Sequence, residues 1–155
     1  MSMLFGDDAA YNYSLSEKNY AFDCLFLGCV TLKEVSLTFL PATTLAELCY
    51  GSMFKRCTSL VNAPKLPATT LARRCYYKMF EGCTSLVNAT SELPATTLAI
   101  GCYEGMFEGC TSLLNTPELP ATTLANGCYE NMFRGCTSLV NAPELPATTL
   151  AISCY

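Results

Sequence analysis

The sequence predicts an α/β solenoid of about five stacked 26–27-residue coils, each a helix followed by a strand, behind an N-terminal capping unit. Three observations support this prediction. A unit that opens with Leu-Pro-Ala-Thr-Thr-Leu-Ala occurs four times in full and once in part. The first half of the unit has the apolar spacing of a helix, and the second half is short and resembles a strand. Self-similarity at this period is typical of chains in which each unit buries its apolar face only against its neighbours.

The copies divide the chain into two parts. Residues 1–39 are an N-terminal segment that contains a degenerate capping repeat from residue 20 onwards. Residues 40–155 contain the repeats, at 40–65, 66–92, 93–118, 119–144 and, in part, 145–155. An atypical terminal unit is what a capping coil looks like.

The opposite end lacks such a cap. The partial copy stops before its Met-Phe half, so apolar side chains of the last coils are expected to lie partly bare. We expect one of three things to cover them, namely a longer native chain, a following domain, or end-to-end self-association through this uncapped coil, and we favour the first and the last. The side chains expected to be bare are Phe133, Leu139, Leu145, Leu150 and Cys154.

The first half of each unit predicts an amphipathic helix. In the copy at residues 40–65, apolar residues recur at steps of three and four. Pro41 suits the first turn of a helix, and Thr43 suits its N-cap. A glycine two residues after the Met-Phe pair, as at Gly109, stands where a left-handed residue would end the helix, and the first copy has Arg56 there.

The second half, Thr-Ser-Leu-Val-Asn-Ala-Pro, predicts a strand of three or four residues. Proline ends the ladder because it has no N–H to donate. Parallel strands of successive coils are then expected on one curved face. Leucine and phenylalanine at fixed repeat positions should form two buried columns, namely Leu60, Leu86, Leu113 and Leu139 with Phe54, Phe80, Phe107 and Phe133.

The eleven cysteines fall into two columns, because most stand in Cys-Tyr or Cys-Thr-Ser-Leu at fixed repeat positions. Zinc sites use cysteines roughly two to four residues apart, whereas Cys49 and Cys57 are eight apart and the chain has no histidine. Cysteine is also a small, frequently buried residue. We expect buried, reduced columns. Disulfides between neighbouring coils stay open as an alternative, because strands ~4.8 Å apart approach the Cα separation of a disulfide.

Two polar columns have alternative interpretations. The asparagines at 62, 88, 115 and 141 could bind a ligand, but closing hydrogen bonds between coils is the favoured role. The Thr-Thr pairs could form an ice-binding array. That role is disfavoured because adjacent strand residues point to opposite faces and because the pairs are predicted to begin helices.

The charge is unevenly distributed along the chain. Residues 1–47 contain two bases and six acids, residues 48–80 contain six bases and no acid, and residues 81–155 contain one base and seven acids. Because sequence order is spatial order in a solenoid, this predicts a basic band between acidic ends. The band is either a set of solvated positions or a docking patch for an acidic partner.

Several function classes find no support. Without histidine there is no Ser-His or Cys-His nucleophile pair, so we predict no enzyme, no cofactor and no metal site. The net charge of −4 disfavours nucleic acid. No apolar run approaches the ~18 residues of a membrane span, and the first residues are acidic rather than a basic export signal.

Residues 20–155 resemble the BspA-like leucine-rich repeats of bacterial and protozoan surface proteins. The resemblance rests on Tyr-Ala-Phe at residues 20–22, on Leu-x-x-Val-x-Leu at residues 32–37, and on the recurring Met-Phe-x-Gly-Cys-Thr-Ser-Leu. It implies a leucine-rich repeat solenoid in a non-catalytic adhesion module that binds protein or glycan, located extracellularly or at a bacterial cell surface. The alternative is a structural or assembly element, such as a spacer, a fibre or phage component, or a fragment of a longer array.

The predicted binding face combines two sets of residues. The first is the outward aliphatic position of each strand, and the second belongs to the basic band. These residues are Val61, Val87, Leu114 and Val140 with Lys65, Arg73, Arg74 and Lys78.

Overall fold

Successive repeats lie side by side as the coils of one stack in the computed structural model, which describes residues 14–155. Equivalent side chains of neighbouring repeats pack directly on each other. The ring centroid of Phe80 is 5.5 Å from that of Phe54 on one side and 5.5 Å from that of Phe107 on the other. The N-terminal part of the predicted segment at 1–39, residues 1–13, lies outside the described residues.

The predicted α/β architecture is wrong, and so is the leucine-rich repeat solenoid of helix–strand coils. Residues 14–155 contain no helix and no continuous strand. Their sheet pairing consists of isolated parallel bridges between equivalent repeat positions. The bridges are Ser14↔Thr44, Thr44↔Thr70, Asn62↔Asn88, Asn88↔Asn115, Glu92↔Glu118 and Thr97↔Thr123.

Overlapping turns replace the predicted helices. In residues 46–57, every second N–H donates to the C=O three residues back, as Gly51 does to Leu48 at 3.0 Å. The N–H groups between them donate to the next coil, as Tyr50 does to Cys75 at 3.0 Å. An α-helix would satisfy all of these groups internally, four residues back. Here half of the backbone hydrogen bonds hold neighbouring coils together instead.

The burial pattern has a strict period of four. Buried apolar side chains come in adjacent pairs at 45–46, 49–50 and 53–54, followed by Cys57. An α-helix turns by ~40° beyond a full circle for each step of four residues, so these pairs would drift around its circumference. The overlapping turns keep them on one side. Steps of three and four therefore suggested a helix face, although the regular interval was four.

Left-handed residues recur with the same period on the outer side of the turns. In the first coil Leu48, Ser52 and Arg56 have φ of 51°, 50° and 60°. Each stands third in a four-residue turn, the position where a type II turn requires positive φ. The glycine after the Met-Phe pair also has the expected left-handed conformation, with φ of 71° at Gly109. It closes a turn, however, and ends no helix.

We expect Gly109→Ala to lower the free energy of unfolding by about 1 kcal/mol, because a Cβ at positive φ is strained. An added Cβ would meet only Gly82, at 3.8 Å, so the loss of stability would reflect backbone strain and not steric crowding. Gly109→Asn is the control, since asparagine tolerates this conformation and Asn131 adopts it in the following coil. Urea denaturation that finds alanine as stable as glycine would contradict the turn assignment.

The core prediction is confirmed for the first three full coils. Their leucine and phenylalanine columns are fully buried, and the side chains of the Met-Phe and Cys-Tyr pairs are buried beside them. At the last full coil, Phe133 and Leu139 are only partly buried. The completely buried members of the two predicted columns are Phe54, Phe80, Phe107, Leu60, Leu86 and Leu113.

The expectation of bare side chains in the last coils is mostly confirmed. Leu145 and Leu150 are exposed, while Phe133 and Leu139 are partly covered. Cys154 was expected to be bare and is instead buried. The N–H of Cys154 donates to the C=O of Ala151, and its C=O accepts from the N–H of Tyr129. These two hydrogen bonds hold Cys154 inside the last partial coil.

Candidate interaction surfaces

Four aliphatic side chains form a column on the outside of the stack, which we call the aliphatic stripe: Val61, Val87, Leu114 and Val140. Their backbones are linked from coil to coil, because the N–H of Val87 donates to Val61 at 2.9 Å and that of Leu114 donates to Val87 at 3.2 Å. Val61 is 37% exposed, Leu114 43% and Val140 75%. Val87 is partly buried, and the backbone links join Val61, Val87 and Leu114 but do not extend to Val140 among the described hydrogen bonds. The stripe is therefore a set of aliphatic side chains at one repeat position, most exposed at Val140.

The asparagine column lies next to the stripe in sequence and has a mixed role. The side-chain amide of Asn88 donates to the side-chain oxygen of Asn62 at 2.7 Å, which joins two coils as the favoured structural interpretation expects. The side chains of Asn115 and Asn141 make no hydrogen bond to other described residues and are exposed. They provide unpaired amides beside Leu114 and Val140.

The threonine pairs do not have the predicted geometry. They begin no helix, and both members of the pairs at 69–70, 96–97, 122–123 and 148–149 are exposed. The backbone holds them in place, since the N–H groups of Thr69 and Thr70 both donate to the C=O of Thr43. The two threonines of a pair therefore do not divide between an inner and an outer face.

Four of the six cations of the basic band are paired with glutamates in space. Lys78 contacts Glu81 at 3.0 Å and Glu108 at 3.4 Å, and Arg74 contacts Glu104 at 3.3 Å. Stacking brings the acids of the next coil against the bases of the second coil. The charge separation in the sequence therefore becomes a network of alternating charge on one surface.

The network continues at both ends of the band. Lys55 contacts Glu81 at 3.0 Å, so this glutamate lies between two lysines. Arg134 contacts Glu108 at 3.6 Å from the following coil. A further pair joins Arg73 to Glu47 at 3.7 Å, with the arginine side chain 58% exposed. Each of these exposed pairs contributes ~1 kcal/mol at most.

The Lys78–Glu81 contact has opposite effects on the two groups. Its hydrogen bond to Glu81 raises the pKa of the Lys78 amine. Burial alone would raise the pKa of the Glu81 carboxyl, but hydrogen bonds from Lys78 and Lys55 lower it overall. Both groups therefore stay charged over a wider pH range than isolated side chains would.

Glycines of the third coil make room for the long cationic side chains. A Cβ added at Gly105 would lie 3.0 Å from Cγ of Lys78, and one at Gly101 would lie 3.1 Å from Cγ of Arg74. Both cations also lie over the ring of Tyr77, at 5.1 Å for Arg74 and 5.7 Å for Lys78. Glycines one repeat after the cations were the sequence signal for this arrangement, which sequence reasoning missed.

The predicted binding face divides into two separate sets in the structure. Arg73, Arg74 and Lys78 lie on the outer side of the turns, and no described hydrogen bond or ion pair links them to the aliphatic stripe. Lys65 is exposed, four residues after Val61, and has no ion pair among residues 14–155. Of the four cations in the predicted binding face, Lys65 alone lies near the stripe in sequence and has no ion pair among residues 14–155.

The cysteine columns are part of the core. All eleven cysteines are free, and nine of them are buried. In the Cys-Thr-Ser-Leu column each thiol donates to a phenylalanine C=O of the preceding coil, as Cys83 does to Phe54 at 3.0 Å and Cys110 does to Phe80 at 3.1 Å. These hydrogen bonds from thiol to carbonyl link neighbouring coils, so the thiols have a structural role.

Burial raises the pKa of these thiols. The pKa is about 11 for Cys49 and Cys57, and about 12 for Cys83 and Cys102. Because the thiolate is the reactive form, the buried cysteines should be inert in the folded protein. Cys24 is exposed, although burial of part of its surface and the nearby Asp23 also raise its pKa.

We expect a thiol reagent at pH 8 to modify Cys24 and Cys29 rapidly in the folded protein and the nine buried cysteines only after denaturation. A pKa of 12 leaves a thiolate fraction of about one in ten thousand at pH 8, and burial blocks access as well. Mass spectrometry of the labelled peptides identifies the sites. Rapid modification of all eleven cysteines would show that the columns are open, and a denatured count near one would show disulfides.

No group of three or more His, Cys, Asp or Glu side chains that could hold a metal ion occurs in residues 14–155. The same residues contain no helix that is long and apolar enough to cross a membrane. In comparisons with known proteins, no family model, curated protein or solved structure matches the chain.

Proposed function

We propose that this chain is a non-catalytic protein-binding module that docks its partner on the aliphatic stripe. The observation that supports this most directly is the exposure of Val61, Leu114 and Val140 at one and the same repeat position. Single exposed aliphatic residues are ordinary, whereas a contiguous apolar patch is typical of an interaction site. A location at a bacterial cell surface is part of the proposal and rests on the family resemblance.

A protein partner suits the stripe better than a glycan. The four side chains are aliphatic, and they contain no aromatic ring on which a sugar could stack. The unpaired amides of Asn115 and Asn141 border the apolar column and could bond to a partner's backbone. Because Lys55, Arg74 and Lys78 are paired with glutamates, the basic band attracts an approaching acidic partner less strongly than six unpaired cations would.

The test uses the biotinylated chain as bait for an extract of bacterial surface proteins. A stripe variant, Leu114→Lys with Val140→Lys, is compared with a control variant, Ile100→Lys with Ile152→Lys. The control residues are similarly exposed, at 53% and 75%, and lie outside the stripe. We expect the control to retain a bound protein and the stripe variant to bind it about tenfold more weakly or worse.

Two results would contradict the proposal. One is a set of captured proteins that the stripe variant and the control variant bind equally. The other is a stripe-dependent ligand that survives protease treatment of the extract, which would identify a glycan instead of a protein. Circular dichroism of both variants verifies that the comparison is made between folded chains.

A further inference from the structure

A second exposed column runs along the stack beside the aliphatic stripe, and we call it the charged column. Each member follows its stripe residue by four positions, or by five in the coil at 66–92, which is one residue longer. Glu92 and Glu118 form a parallel bridge, and the N–H of Glu118 donates to the C=O of Ser91 at 3.0 Å, so the two coils are in register here. The members of the column are Lys65, Glu92, Glu118 and Glu144, all exposed.

The glutamates of the charged column are uncompensated. Glu92 and Glu118 make no ion pair within residues 14–155, whereas Glu81, Glu104 and Glu108 of the turn surface are each paired with a lysine or arginine. Neighbouring strands lie ~4.8 Å apart, and like charges directly opposite each other on such strands repel. The charged column is therefore the place where a cationic group from outside gains most.

The two columns are close enough for one partner to cover both. Leu114 and Glu118 belong to one short segment, and four residues span at most about 14 Å even when fully extended. The exposed Asn115 follows Leu114 in that segment. An α-helix with its side chains is ~10–12 Å wide. A helix that lies along the stack can therefore contact the stripe on one flank and the glutamates on the other.

The spacing of the coils also suits a helix. Ring centroids one coil apart are separated by 5.5 Å for Phe54 and Phe80 and by 5.7 Å for Tyr76 and Tyr103. The pitch of an α-helix is ~5.4 Å, so over three coils its successive turns stay within ~2 Å of successive stripe residues. Side chains on one face of an extended strand are ~6.6–6.8 Å apart and would be out of step by ~3 Å or more over the same distance.

We propose that the partner docks a basic amphipathic α-helix along the stack. Its aliphatic side chains, one for each turn, lie on the stripe, and lysines or arginines on the adjacent flank pair with Glu92 and Glu118. The turn of the helix that reaches Lys65 carries no base. This inference rests on the proposed function, because it names the chemistry of the partner at the same stripe.

Three synthetic peptides of about 18 residues, or five turns, serve as probes. The basic peptide has leucine on one face, lysine on the adjacent flank and alanine elsewhere. The acidic peptide has glutamate in place of lysine, and the broken peptide is the basic one with a central alanine replaced by proline. Fluorescence anisotropy measures binding to the 155-residue chain. We expect the basic peptide to bind at least tenfold more tightly than the broken one, because proline in a helix interior costs ~3 kcal/mol.

Variants of the chain test the two columns separately. Glu92→Gln with Glu118→Gln should weaken the basic peptide about three- to tenfold, the effect of two exposed ion pairs. Glu17→Gln with Glu130→Gln has the same net charge, changes two glutamates outside the column that have no ion pair within residues 14–155, and should leave binding unchanged. Val61→Ser with Leu114→Ser, which adds no charge, should weaken the basic peptide about tenfold.

The same variants, used as bait for the surface-protein extract, distinguish two failures. A captured protein that depends on Val61 and Leu114 but is bound equally after Glu92→Gln with Glu118→Gln would overturn the basic helix and leave the proposed function standing. An acidic or broken peptide that binds as tightly as the basic one, or no binding of the basic peptide at millimolar concentration, would also overturn it. Ligands that ignore the serine substitutions altogether would contradict the proposed function itself.

Discussion

Replacing Phe107 by alanine is expected to lower the free energy of unfolding by about 3–5 kcal/mol. Phe107 is completely buried at the middle of the phenylalanine column, with ring centroids at 5.5 Å to Phe80 and 5.8 Å to Phe133. Removing the ring leaves a cavity and takes contacts from both neighbouring coils. Because each coil is held only by its neighbours, one defect in the middle weakens two interfaces.

The matched control for this prediction is Phe133→Ala. Phe133 stacks on Phe107 alone within the described residues, and it is only partly buried. Its loss should cost clearly less than that of Phe107. Urea denaturation followed by circular dichroism measures both variants, and a Phe107→Ala effect below about 1 kcal/mol would show that the column is not a packed core.

Stability should fall steeply in alkali because of the buried thiols. Burial holds the pKa of Cys83 and Cys102 at about 12 in the folded chain, above the ordinary value of 9.0. Above pH 9 the unfolded chain releases these protons while the folded chain retains them. The free energy of unfolding therefore decreases as pH rises, and the contribution of each thiol is fully present only below the unfolded pKa.

The size of this effect follows from the pKa difference. Each buried thiol contributes a loss approaching 1.4 kcal/mol per pH unit between the two pKa values. Cys83 and Cys102 alone should lower stability by about 4–5 kcal/mol between pH 9 and pH 11. Cys49 and Cys57, whose pKa values are raised to about 11, act in the same direction up to that pH.

Denaturation curves at pH 7, 9, 10 and 11 in the presence of a reducing agent test this prediction. Cys102→Ala is the informative variant, since it removes one titrating thiol and should flatten the decline above pH 9 even if it lowers stability at pH 7. Equal stability at pH 8 and pH 11 would mean that the columns are solvated, which contradicts their burial.

Residues that share a column could be assigned from the sequence alone. Tandem repetition places equivalent residues next to each other whatever the local backbone does, so Phe54, Phe80 and Phe107 had to meet if the units stacked. The burial of these rings and of the cysteine columns follows from the same reasoning together with ordinary hydrophobicity. The stacking of the phenylalanines and the burial of the cysteines do not depend on the predicted helix.

The candidate surfaces were only partly predictable. The outward position of Leu114 could be inferred from its place beside the buried Leu113. The pairing of Arg74 with Glu104 could not, because it depends on two coils facing outwards in the same register. The position of Glu81 between Lys55 and Lys78, at 3.0 Å from each, likewise required the three-dimensional arrangement of two coils.

The local backbone conformation was decided by the tertiary structure. A spacing of apolar residues by three and four is compatible with a helix, and the sequence by itself does not say where each N–H group finds its acceptor. In the stack, the N–H groups of Tyr50 and Phe54 donate to the next coil, at 3.0 and 2.9 Å. Those acceptors exist only once a neighbour is present, so stacking makes the overlapping turns possible and removes the need for a helix.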